Sequence, residues 1–117
     1  MFEVNGVQLD FNLFEAETNE AYEEACQNTV NELEKAKEEK SSAESLRIMC
    51  NAIKDCFDCI FGPGTGDEVC GQNSDFLKCM DAYEALTDEA IRQRGVLDEK
   101  IQKVTTKYQG NRAQRRK

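Results

Sequence analysis

The sequence predicts a mainly α-helical protein, with a short N-terminal β-hairpin followed by three or four helices in an antiparallel arrangement. Three observations predict it. Leu46, Met49, Cys50, Ile53, Phe57, Ile60 and Phe61 recur at three- and four-residue steps, as do Phe76, Leu77, Met80 and Tyr83 further on; that period is one face of an α-helix. Between the two sets, the stretch from Gly62 to Asn73 holds four of the seven glycines and the only proline, which predicts a turn rather than a continuous helix. At the N-terminus apolar and polar residues alternate on both sides of Asn5-Gly6, the favoured pair for a two-residue type I′ turn because both positions need positive φ.

The elements follow in order. Strands are expected near Phe2–Val4 and Val7–Phe11, within a hairpin covering about residues 1–11. A lone two-stranded hairpin is marginal in water, so it is expected to lie on the helices or to pair its edge with another copy of the protein. A connector carrying Leu13 and Phe14 leads to a first helix from about Asn19 to about Lys40, with Thr18 or Asn19 as its N-cap. Its apolar stripe of Tyr22, Cys26, Val30, Leu33 and Ala36 is thin, as in a half-exposed covering helix. Ser41 followed by Glu44 matches a capping box and opens the second helix, which carries the larger apolar face to about Phe61. Ser74 with Asp75 caps the helix after the bend.

That last helix is expected to be long. Phe76, Met80, Tyr83, Thr87, Ala90, Arg94, Leu97, Ile101, Val104 and Tyr108 form a heptad-like seam, in one helix or in two joined near Leu86-Thr87-Asp88. Its second half exceeds what the short second helix can cover, so it either packs on the first helix and hairpin or binds a partner helix. A helix stop is expected at Gly110. The division is therefore one domain over residues 1–109 and a basic tail over 110–117.

The 117 residues carry a net charge of −8, unevenly placed. Met1 to Glu99 holds eight basic and twenty-three acidic residues, whereas Lys100 to Lys117 holds seven basic and none acidic. The body should repel nucleic acid. The basic end could reach a phosphate backbone or an acidic protein, though plain solvation of a short tail is the preferred account. No run approaches a membrane span and no secretory signal is expected.

Chemistry is sparse. There is no histidine, no Gly-x-Ser-x-Gly, no P-loop lysine motif and no dinucleotide fingerprint, so enzyme activity and a cofactor are not expected. Six cysteines stand out. Without a secretory signal, disulfides are not expected. Cys56 and Cys59 form a C-x2-C pair, with Cys70 and Cys79 following, and four thiolates suit zinc. Against it, the first pair lies on a continuous helix and the second is spaced C-x8-C. Packing as small buried hydrophobes is preferred.

The hairpin Phe2-Glu3-Val4-Asn5-Gly6-Val7 leads through Asp10-Phe11 and an acidic, Tyr22-containing helix to Phe57-Asp58-x-Ile60-Phe61-Gly62-x-Gly64-Thr65. Asn73, Cys79 and a closing Asn111-Arg112-Ala113-Gln114-Arg115-Arg116 follow. This pattern resembles the small tail assembly chaperones of long-tailed phages and prophages of Gram-positive bacteria, over nearly the whole chain. The resemblance implies a helical protein of the host cytoplasm, acting in many copies. It would coat the long tape measure protein during virion assembly and help recruit tail tube subunits. An apolar strip beside an acidic exterior suits that work. Ile91, Leu97, Ile101, Val104 and Tyr108 are the expected helix contacts, and Phe2 and Val4 the expected self-association contacts of a homo-oligomer. The competing expectations are a cysteine-rich, zinc-stabilised adaptor using Cys56, Cys59, Cys70 and Cys79, and a nucleic-acid-binding regulator using the basic tail.

Overall fold

The computed structural model describes residues 2–115, with side chains described through Tyr108. Strands β1 (Phe2–Val4) and β2 (Val7–Leu9) form an antiparallel hairpin in which Phe2 faces Leu9 and Val4 faces Val7. Asn5 and Gly6 have φ of 48° and 86°, the left-handed pair that a type I′ turn requires. Helices α1 (Ala16–Ala36), α2 (Ser42–Phe61), α3 (Thr65–Cys70) and α4 (Phe76–Arg115) complete the chain.

Helix α1 starts and stops earlier than the charge pattern suggests. The Asn12 side chain accepts from the Phe14 N–H at 3.0 Å, and the Glu15 N–H reaches the Asn12 carbonyl at 3.3 Å. This turn starts the helix at Ala16, so Thr18 and Asn19 fall inside the first turn instead of capping it; Asn19 donates back to the Leu13 carbonyl. The buried stripe is also rotated. Tyr22, Ala25, Thr29 and Ala36 face inward, while Val30 turns out to solvent. Small side chains let α1 lie close on α2, and the buried Thr29 hydroxyl is satisfied by the Ala25 carbonyl at 2.8 Å. The Ser41 cap is as expected: its Oγ accepts from the Glu44 N–H at 3.2 Å. The Ser45 hydroxyl then donates to the carbonyl of Ala36, closing α1 and α2 into an antiparallel pair.

The glycine-rich bend contains a helix that its density of breakers had argued against. Gly62 and Gly64, at φ of 113° and 91°, turn the chain, and the Asp58 carboxylate accepts from the Gly66 N–H at 2.7 Å. That charge satisfies a free N–H of the first turn of α3. Helix α3 then retraces α2. Gly66 sits directly on the backbone of Lys54, where a Cβ would have no room, and Lys54 pairs with Asp67 at 3.3 Å. The return at the elbow is therefore made by α3. Because α3 has already carried the chain back, α4 sets off in the same sense as α2: Cys79 meets Cys50 near its start, while Phe61 and Gln93 both reach Phe11 further along. Direct antiparallel closure of the second and last helices, expected from their apolar faces, does not occur. Asp75 caps α4 by accepting from the N–H groups of Leu77 and Lys78.

One core joins these parts. Val4, Ile53, Phe57, Val69 and Leu86 are fully buried, with Ala82 and Ala90 where α4 passes. Rings of Phe2, Phe11, Tyr22 and Phe61 pack at centroid distances of 5.5 to 6.4 Å, in the range where tilted aromatic pairs attract. The hairpin is thus roofed onto the helices. Its turn is tied as well, since the Asn5 amide donates to the carbonyl of Val69 at 2.8 Å and of Lys78 at 3.2 Å.

Helix α4 is unbroken for 40 residues. It shows no joint at Leu86-Thr87-Asp88 and no stop at Gly110; Gly95 and Gly110 are carried inside it at about 1 kcal/mol each relative to alanine. Residues 110–115 therefore continue the helix, and 116–117 of the expected tail lie outside the described residues. The molecule is 71 Å long and only 30 by 21 Å across. The length comes from α4, whose described residues from Leu97 to Tyr108 are all exposed.

Candidate helix-binding arm

The contact between body and arm is set at Gln93, Arg94 and Leu97. Gln93 is buried and bridges the connector, its Nε2 donating to the Phe11 carbonyl and its Oε1 accepting from the Leu13 N–H, both at 2.7 Å. Arg94 reaches the Glu23 carboxylate at 3.8 Å, with its guanidinium 5.8 Å from the centre of the Tyr22 ring. Leu97 lines a surface recess with Leu13, Phe14, Ala16, Asn19, Glu20 and Glu23. Beyond it Ile101, Val104 and Tyr108 are 55, 67 and 63% exposed.

Leu97, Ile101, Val104 and Tyr108 step by four, three and four residues, so they form one continuous stripe. Ile91 is also exposed, but six residues before Leu97 it lies about a third of a turn away from that stripe. It shares a face with Leu77, which the apolar spacing had assigned to the core and which is instead exposed. The structure thus groups four of the five expected helix contacts and separates the fifth.

The expected self-association residues fare differently. Val4 has no solvent exposure, because the hairpin turns that face onto α3 and α4; it cannot meet a partner without unfolding. Phe2 is half-buried against Phe11 and Phe61. Phe14, half-exposed on the connector beside Leu97, is an apolar surface residue that periodicity could not flag, because it lies in no periodic element.

The cysteines divide into two sets that spacing did not reveal. Cys26 of α1 lies against Cys56 of α2, with Tyr22 and Tyr83 beside them. The Cys56 thiol holds the Cys26 pKa down to about 6; Tyr22, Tyr83 and Arg94 act in the same direction, while burial opposes them. The same pairing, together with burial, pushes Cys56 up. Burial raises both tyrosines, and a neighbouring Cys26 thiolate adds to it. Cys50, Cys70 and Cys79 form the second set, where burial pushes Cys50 to about 12 and Cys79 to about 11 and also raises Cys70. Cys59 is exposed. Cys56, Cys59, Cys70 and Cys79 therefore do not converge, and among the described residues no group of three or more cysteine or carboxylate side chains is placed to hold a metal ion. Cys56 and Cys59 share one recess on α2, whereas Cys70 at the end of α3 and Cys79 in the first turns of α4 gather at Cys50, so the two pairs lie apart.

Among the described residues no helix is long and apolar enough to cross a membrane. The profile of one protein family, described as a family of unknown function (DUF6673), matches residues 5–117. No curated protein and no solved structure matches the chain.

Proposed function

The chain belongs to the DUF6673 family, and from that premise we propose that it is a tail-assembly chaperone that binds and solubilises an amphipathic, helix-rich tape measure protein in the bacterial host cytoplasm. The observation that carries this reading is the exposed stripe of Leu97, Ile101, Val104 and Tyr108 on an arm that leaves the body. Most helices in proteins draw their stability from packing one apolar face. This arm presents such a face largely to solvent, which is the geometry of a helix that pairs with another helix. The acidic body supplies the solubility that a coat around a long apolar rod needs. The resemblance to small tail assembly chaperones of Gram-positive phages, carried by the hairpin, the Phe57–Thr65 segment and the C-terminal stretch, supplies the partner. No catalytic step belongs to this reading.

Co-expression with the neighbouring long, helix-rich open reading frame tests it. The chaperone reading expects that product to become soluble and to co-purify with this chain, and expects Ile101→Glu with Val104→Glu to abolish both. A product that stays insoluble beside abundant, folded chaperone overturns it, as does rescue that is indifferent to the stripe.

A further inference from the structure

Charge and shape also say what covers the stripe when this protein is alone. The arm from Lys100 onward carries Lys100, Lys103 and Lys107 and no acidic residue. By helical register Lys100 and Lys107 flank the Ile101–Val104–Tyr108 stripe on one side. Two such arms side by side would set like charges together. The body offers a surface of opposite charge at Glu20 and Glu34, Glu23 between them being paired with Arg94 of its own copy. On α1, Ala16, Glu20, Glu23, Gln27, Val30 and Glu34 recur at three- and four-residue steps and are all exposed. Val30 lies on this face and Phe14 at its N-terminal end, where Leu97 closes the recess.

Lengths agree too. From Leu97 to Arg115 the arm spans about 28 Å, and α1 with its 21 residues spans about 31 Å. Within one copy the two point away from each other, since Leu97 at the root of the arm adjoins the start of α1. A twofold axis passing near Leu97 therefore lays each arm along the other copy's α1.

We infer that this protein forms a reciprocal dimer in which the basic, apolar-striped arm of each copy docks on the acidic Glu20–Glu34 face of α1 in a second copy. Such an interface is isologous and closed, so it stops at two chains. Two arms, each about 28 Å by 10 Å, bury on the order of 1,000 Å² in total, enough for a specific though modest contact. This goes beyond the chaperone reading, because it concerns the purified chain without any partner.

Reversed charges test it on the full chain. One variant carries Lys100→Glu and Lys107→Glu; the other carries Glu20→Lys and Glu34→Lys. All four positions are exposed, and circular dichroism checks that each variant keeps its helix content. Light scattering on the wild type at low salt is expected to give twice the 13.3 kDa chain mass, falling toward one chain as salt rises. Each variant alone is expected to dissociate at least tenfold more readily, and an equimolar mixture of the two to regain the wild-type mass, because both arm-to-α1 contacts are then again of opposite charge. A wild type that is monomeric at about 100 μM and low salt overturns the inference. So does a dimer unmoved by the α1 reversals, which would mean arm-to-arm pairing, or a mixture that fails to recover. None of these outcomes depends on whether a tape measure protein is bound.

Discussion

Gln93 and the backbone carbonyl of Phe11, 82 residues apart in sequence, are joined by a buried 2.7 Å hydrogen bond, and the same side chain accepts from the N–H of Leu13. A single amide thereby pairs one acceptor and one donor of a connector that has no ladder or helix to satisfy them. It also holds α4 against that connector at the last turn before the arm leaves the body. Gln93→Leu keeps the apolar volume but orphans both backbone groups. It should lower stability by about 2 kcal/mol, seen as an earlier urea midpoint. An unchanged midpoint would show that water takes over both bonds.

Two valines predict opposite behaviour. Val4, with no exposed surface, is part of the core, so Val4→Ala should cost about 1.5 to 3 kcal/mol through lost burial and the cavity left behind. Val104, two-thirds exposed on the arm, should tolerate Val104→Ser within about 0.5 kcal/mol in dilute, monomeric protein. Thermal melts of the two variants beside the wild type separate core from docking surface.

Gly66 is required by proximity rather than by φ. Its missing Cβ lets α3 rest on the backbone of Lys54. Gly66→Ala should push α3 off α2 and destabilise by about 1 to 3 kcal/mol, whereas Gly95→Ala, with open space around it, should stabilise the helix by up to about 1 kcal/mol. Removing the cap of α3 with Asp58→Ala should cost about 1 kcal/mol. Hydrogen exchange of residues 65–70 checks whether the loss is local to α3.

Cys26 should be the thiol that reacts at neutral pH. With its pKa held down to about 6 by the Cys56 thiol, the tyrosine hydroxyls and Arg94, its thiolate fraction rises with pH and is half-formed near 6. In a Cys59→Ser background, which removes the exposed thiol, iodoacetamide alkylation of Cys26 should be near its plateau at pH 7 and about tenfold slower at pH 5. Cys50 and Cys79, pushed up to about 12 and 11, should stay unmodified over that range. Cys56→Ala removes the thiol that lowers Cys26 most and should move the midpoint upward. Peptide mass spectrometry reads each site, and a Cys26 rate flat between pH 5 and 7 would contradict the assignment.

Local signals were legible before any coordinates. Asn5-Gly6 encodes its own turn because few other pairs accept positive φ twice, and Ser41 with Glu44 encodes its own cap. The seam from Ile91 to Tyr108 was legible as more than the second helix could cover, but its periodicity left open whether the first helix and hairpin or a partner would cover it. Tertiary contacts decided the rest. Helix α3 exists because Asp58, on a neighbouring element, caps a segment too short and too glycine-rich to be stable alone. The direction of α4 follows from that return stroke, and with it the burial of Val4 and the gathering of Cys70 and Cys79 at Cys50, while close packing of α1 on α2 turns Val30 outward. Which residues share a helix face is a matter of spacing along one chain. Which faces meet depends on long-range closure, and no window of sequence contains both partners.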